Sequence, residues 1–195
     1  MAGIYLHIPF CKSRCIYCGF FSTTSLQRRH AYVDAVVEEL YQRRSFLSGA
    51  SIDTVYFGGG TPSQLSPEEL ERALNAIYYL YNVRGNAEVT LEGNPDDLTP
   101  EFLHHLRALG INRLSMGVQT FDETRLQFLH RRHTASQAIQ AVRDAQAAGF
   151  SNISIDLMFG FPRQTLEDWK QDVQMALSLQ VQHLSAYSLM YEEGT

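Results

Sequence analysis

The chain has 195 residues, 45% hydrophobic and 19% charged, with 16 Lys and Arg against 21 Asp and Glu, for a formal net charge of −5. This composition excludes a disordered or fibrous chain, and the lack of any basic run argues against a nucleic-acid surface. No apolar stretch reaches the length of a membrane span, and the N-terminus MAGIYLHIPF lacks the charged region and cleavage site of a secretory signal, so the expected compartment is the cytoplasm, where structural disulfides are rare.

The first predicted strand, Gly3–Phe10, sets Ile4, Leu6 and Ile8 on one face and Tyr5 and His7 on the other. It runs straight into FCKSRCIYCGF, which holds every cysteine of the chain: Cys11, Cys15 and Cys18. A helix is predicted over Arg29–Leu47. A second strand over Asp53–Gly58 ends in Gly58-Gly59-Gly60-Thr61. The next helix, Pro67–Leu80, has its start marked by Ser66 as a cap, Pro67 at its first position and Glu69 at its third. Strand Ala87–Gly93 follows, then helix Pro100–Leu109, opened by Thr99-Pro100 and closed by Gly110. Strand Arg113–Thr120 leads to helix Ala135–Ala148, with Thr134 and Gln137 as a capping box and Gly149 as its stop. Strand Asn152–Gly160, helix Leu166–Ser178 and strand His183–Leu189 complete the series.

Strict β-α alternation implies an α/β fold with a parallel sheet and right-handed crossovers. Each strand has one apolar face and one polar face that carries Tyr56, Glu92, Ser115, Gly117, Gln119, Asp156 and Tyr187. A doubly wound sheet would be apolar on both faces. The alternation therefore predicts helices on the outer face only, around a polar interior: a partial (β/α)6 barrel. The alternative is a two-sided sheet with a few tolerated polar residues. No linker divides the chain, so one domain over 1–195 is expected.

Three readings of the cysteines stand beside one another. A disulfide would leave one thiol over and suits the compartment badly. A structural zinc site would need a fourth ligand; His7 lies inside a strand, and no second C-x-x-C exists. An iron–sulfur cluster bound by three thiolates would keep one iron open. Elsewhere, the glycines at 58–60 permit close approach of a ligand or simply turn the chain into the next helix. Glu92 and Asp156 are placed at strand ends and point inward; as carboxylates they accept hydrogen bonds or cap a neighbouring loop. Gln119 offers both a donor and an acceptor on the same face. Arg131, in HRRH, faces either the site or solvent.

The spacing C-x-x-x-C-x-x-C after a first strand, with Tyr17 before the last cysteine, resembles the signature of radical S-adenosylmethionine (SAM) proteins. YLHIPFCKSRCIYCGFFS, VYFGGGTPSQLS, EVTLEGNPDDL, NRLSMGVQTF, HRRH and SIDLMFGFPRQTLEDW resemble, in order, the oxygen-independent coproporphyrinogen III oxidase family and its haem-chaperone branch, HemW. The resemblance implies a [4Fe–4S] cluster on Cys11, Cys15 and Cys18, with SAM chelating the open iron and undergoing reductive cleavage. It implies SAM contacts at Tyr5, Gly59, Gly60, Thr61, Glu92, Gln119, Arg131, Asp156 and Met190, and it matches Tyr17 to a position near a second SAM molecule in the oxidase branch. It also implies haem or a porphyrinogen as ligand, an electron donor such as flavodoxin or ferredoxin, and an apo-haemoprotein acceptor. The family's C-terminal accessory domain is absent, so the chain is expected to be a fragment. The oxidase branch has a further cysteine where this chain has Phe20. That departure favours the chaperone branch over the oxidase, with Phe20 expected to pack under the cysteine loop. A structural zinc module is the remaining alternative.

Overall fold

The computed structural model describes residues 2–190. Its strands β1 (Ala2–Ile8), β2 (Ile52–Gly59), β3 (Val83–Gly93), β4 (Arg113–Gln119), β5 (Ile153–Phe159) and β6 (His183–Ser188) form one six-stranded sheet in chain order. Every neighbouring pair is parallel. Helices α1 (Arg29–Gln42), α2 (Pro67–Leu80), α3 (Pro100–Ala108), α4 (Glu123–Phe128), α5 (Ala135–Ala147) and α6 (Leu166–Ser178) lie in the crossovers. Among the described residues β1 and β6 do not pair, so the sheet is an open arc, the partial (β/α)6 barrel that the alternation predicts.

The apolar strand faces account for this shape. Leu6, Ile8, Val55, Phe57, Val89, Leu91, Leu114, Met116, Ile153 and Ile155 are buried in one cluster with Leu70 and Ile77 of α2, Leu103 and Leu106 of α3, and Val142 of α5. The helices therefore cover that face. The opposite face stays polar, and its lower end is plugged: Thr90, Ser115 and Ser154 are buried there. Arg113 donates to Thr90 Oγ1 at 3.4 Å, and Ser154 Oγ lies 2.9 Å from His183 Nδ1. The polar interior is thus filled from below.

The predicted caps form. Ser66 and Glu69 make a reciprocal capping box at 3.2 and 2.9 Å, as do Thr134 and Gln137 at 3.2 and 2.8 Å. Gly110 and Gly149 adopt positive φ just beyond α3 and α5. Four points differ from expectation. Helix α1 ends at Gln42 rather than Leu47: residues 43–46 are exposed, Phe46 by 76%, and only Leu47 returns to pack against the core. Strand β3 begins at Val83, through the polar stretch Arg84–Asn86, where no alternation marks a strand. Helix α4, capped by Asp122 on Arg125 N at 2.8 Å, is too short to leave a periodic signal. Asp156 falls in the middle of β5, not at its end; the strand itself keeps nearly its predicted bounds.

Candidate metal and cofactor site

The cysteine loop is pinned at both ends. Cys11 N donates to Thr23 O at 3.0 Å and Thr23 N to Pro9 O at 2.7 Å, closing residues 11–23 onto the end of β1. Within it Cys18 N donates to Cys15 O at 3.2 Å, turning the chain between the second and third thiols. His7 Nε2 donates to Phe21 O at 3.0 Å, so the histidine orients the loop from inside the strand. Cys11 is buried, Cys15 and Cys18 are half-buried, and all three are free thiols. Among the described residues no group of three or more His, Cys, Asp and Glu side chains is arranged as a metal-holding set.

The glycine run after β2 lies against this loop. Gly59 has φ +112°, and a Cβ there would stand 2.6 Å from His7 Nδ1. Gly60 N donates to Ile8 O at 2.8 Å, and a Cβ on Gly60 would come within 3.1 Å of Cys11 Sγ. Only glycine admits this approach. Thr61 Oγ1 then donates to Cys11 Sγ at 3.3 Å. Glu92 closes the other side: Tyr56 Oη donates to its Oε1 at 2.7 Å and Gly59 N to its Oε2 at 3.1 Å. Tyr5 stacks on Tyr56 with centroids 5.9 Å apart.

Arg131 is not a solvated charge. Its Nη2 donates to Asn94 Oδ1 at 2.7 Å and to Gly117 O at 2.5 Å, and its Nη1 lies 3.5 Å from Cys15 Sγ. Its Nε is buried with no partner among the described residues. Gln119, buried at the end of β4, has φ 73°, and the β4–β5 register slips between Met116 and Gln119. A strained non-glycine residue beside a bulge is a frequent mark of a working site. Asp156 faces the interior among Glu92 of β3, Arg113 of β4, and His183 and Ser185 of β6; burial first, then the Glu92 charge, pushes its pKa up to about 6. Tyr17 packs with Leu129, Met158, Phe161 and Leu189, and burial raises its hydroxyl pKa.

The structure therefore draws Cys11, Cys15, Cys18, Tyr17, Gly60, Thr61 and Arg131 around one loop, and Tyr5, Gly59, Glu92 and Asp156 along the interior face. Met190 lies just past β6 and is 64% exposed, and among the described residues no hydrogen bond or buried cluster joins it to the others. Phe20 is 71% exposed and does not pack under the loop; it sits in a bend two residues past Cys18, beside Phe21, which is 78% exposed. Asn94, Tyr56, Arg113 and Asp97 were not expected as site residues. The run GNPDD after Glu92 is the one sequence signal that could have raised Asn94 and Asp97.

A thiolate-bound iron group fits this chemistry. Three soft thiol donors sit on one loop, a guanidinium stands beside Cys15, and a buried Arg131 Nε–H awaits an acceptor. The family profile described as "Radical SAM superfamily" matches residues 5–176. The chain belongs to the radical SAM superfamily. Within it, the chain is 41% identical over 98% of its length to "Heme chaperone HemW" of Lactococcus lactis subsp. lactis (strain IL1403), of which it covers 50%. It is 38% identical to the protein of the same name from Bacillus subtilis (strain 168), covering 52% of it. Against the solved structure described as "Coproporphyrinogen III oxidase (HemN) from Escherichia coli is a Radical SAM enzyme", 97% of this radical SAM chain superposes with a TM-score of 0.90 at 30% identity, over 44% of that chain. The chain spans about half the length of the curated relatives it matches. Among the described residues no helix is long and apolar enough to cross a membrane.

Proposed function

We propose that this chain is the radical SAM core of a haem chaperone that carries a [4Fe–4S] cluster, binds SAM and haem, and passes haem to apo-haemoproteins. The observation that carries the reading is the loop after β1, which holds all three thiols and brings Cys11 Sγ to Thr61 and Cys15 Sγ to Arg131. The similarity to haem chaperones over nearly the whole chain supports the branch, as does Phe20 in place of the oxidase branch's extra cysteine.

Cys11, Cys15 and Cys18 would hold the cluster, and together with SAM it would supply one-electron reductive cleavage of the SAM sulfonium. The chain's own residues do the rest. Thr61 and Arg131 stabilise sulfur charge by hydrogen bonding and proximity. The peptide groups at Gly59 and Gly60 leave room for a ligand's polar groups. Glu92, already held by Tyr56 and Gly59, and Asp156 present carboxylates for hydroxyl or ammonium groups of SAM, with Tyr5 and Gln119 alongside. The reductant would be a low-potential protein such as flavodoxin or ferredoxin.

The test uses the protein that carries this chain, loaded with cluster under anaerobic conditions. Haem titration should give a stable complex that transfers haem to an apo-haemoprotein. Incubation with coproporphyrinogen III, SAM and reductant should give no protoporphyrinogen. Catalytic turnover would restore the oxidase reading, to which the structural likeness to that enzyme also lends weight.

A further inference from the structure

The loops that follow β1, β2, β3 and β4 meet at one carboxylate. Asp97 sits in a short turn after β3, and its side chain is 3% exposed. Its Oδ1 accepts from Lys12 Nζ at 2.8 Å and from Arg132 Nη2 at 3.2 Å. Its Oδ2 accepts from Ser63 Oγ at 3.0 Å, Gln64 Nε2 at 2.5 Å and Arg132 Nη2 at 3.1 Å. A carboxylate has about four acceptor sites, and the surrounding donors occupy this one from three loops besides its own.

The donors are placed tellingly. Lys12 lies between Cys11 and Cys15. Ser63 and Gln64 follow Thr61, which donates to Cys11. Arg132 follows Arg131, whose guanidinium reaches Cys15 and Asn94, and Asn94 opens the same turn as Asp97. A buried carboxylate with neutral neighbours would be costly; here two cations and two neutral donors compensate it. Lys12 is 48% exposed and Arg132 25%, so solvent screens the lysine arm more and the arginine arm is the stronger of the two. Asp96 reinforces the stronger arm with an ion pair to Arg132 at 2.9 Å.

We propose that Asp97 is a positioning residue for the cysteine loop. It touches no cysteine; it fixes the Cys11–Cys15 segment against the Thr61 turn and the Arg131 loop, and so sets how the thiols face their hydrogen-bonding partners. The consequence for a cluster rests on the reading above, while the coupling between loops is a property of the metal-free protein.

The test compares D97N, R132M and the double variant. D97N keeps the size and one acceptor oxygen but removes the charge. In metal-free protein shown to be folded by circular dichroism, trypsin should cut after Lys12 and Arg14 about tenfold faster in D97N and R132M, the worth of one charge-assisted hydrogen bond. The double variant should be no faster than the faster single, because both remove one network. After anaerobic reconstitution, both single variants should lose iron to a chelator about tenfold faster and show an altered visible thiolate-to-iron spectrum. Wild-type rates of cleavage and iron loss in D97N would overturn the proposal, and so would effects that multiply in the double variant. If D97N does not fold, R132M and K12M decide by cleavage after Arg14. If the wild type takes up no iron, the cluster reading fails while the trypsin result still decides the coupling.

Discussion

Replacing Asp156 by Asn should make the metal-free protein more stable at neutral pH and worse at holding SAM. The carboxyl faces the barrel interior, and burial, with the Glu92 charge second, lifts its pKa from 3.8 to about 6. Its ionised form is therefore disfavoured on folding, by about 3 kcal/mol if the whole difference is expressed. Residual exposure discounts that, so a gain of roughly 1–3 kcal/mol is expected for Asp156→Asn above pH 6. The sign follows from linkage: between about pH 4 and 6 the folded state binds more protons than the unfolded one, so stability falls as pH rises through this window. The variant's advantage should be full above pH 6 and vanish below about pH 4. Urea unfolding of both proteins across this range measures it, and at this chain length the same gain is a rise of roughly 2–12 °C in Tm at pH 7.5. Under the proposed function the variant should bind SAM about tenfold more weakly, having lost one charged hydrogen bond. A variant less stable than the parent at pH 7.5 would show that Arg113 and His183 already compensate the carboxylate, and a pH-independent difference would refute the titration behind it.

Further outcomes follow from other residues. Arg131→Met leaves Asn94 Oδ1 and Gly117 O without their donor and should cost roughly 2–4 kcal/mol in urea unfolding, with faster loss of iron from reconstituted protein. Gly60→Ala drives a Cβ to 3.0 Å from Ile8 O and 3.1 Å from Cys11 Sγ, against backbone that cannot yield cheaply; about 1–3 kcal/mol should be lost and iron retention should fall. His133, held near Val118 O at 3.1 Å and buried, has its pKa pushed down to about 3, first by burial and then by Arg131. Its unfolded form gains a proton first, so stability should fall as pH drops from 6.5 toward 3, and His133→Gln should flatten that slope in denaturant titrations.

The fold was legible because its determinants are local. Period-two alternation in each strand and capping pairs three residues apart are written in adjacent positions, and both survive into the structure at Ser66–Glu69 and Thr134–Gln137. The three thiols were legible for the same reason: they lie within eight residues on one loop. What escaped were relations between distant segments. Asp97 meets Lys12 across 85 positions and Arg131 meets Cys15 across 116, and no spacing rule connects them. Phe20 was misjudged because a phenylalanine is expected to be buried, while the cysteine loop leaves both Phe20 and Phe21 exposed. The sheet's polar interior was expected from alternation, but its plug of Thr90, Ser115 and Ser154 depends on how strand starts converge, which alternation does not encode.

The central claim is that Cys11, Cys15 and Cys18 hold an iron–sulfur cluster, and the most direct measurement is iron, sulfide and zinc content after anaerobic reconstitution, with the visible spectrum recorded on the same sample. The account predicts about four irons per chain with broad thiolate-to-iron absorption, both lost in Cys15→Ser. Tight stoichiometric zinc with no retained iron would contradict it and make the loop a structural zinc site.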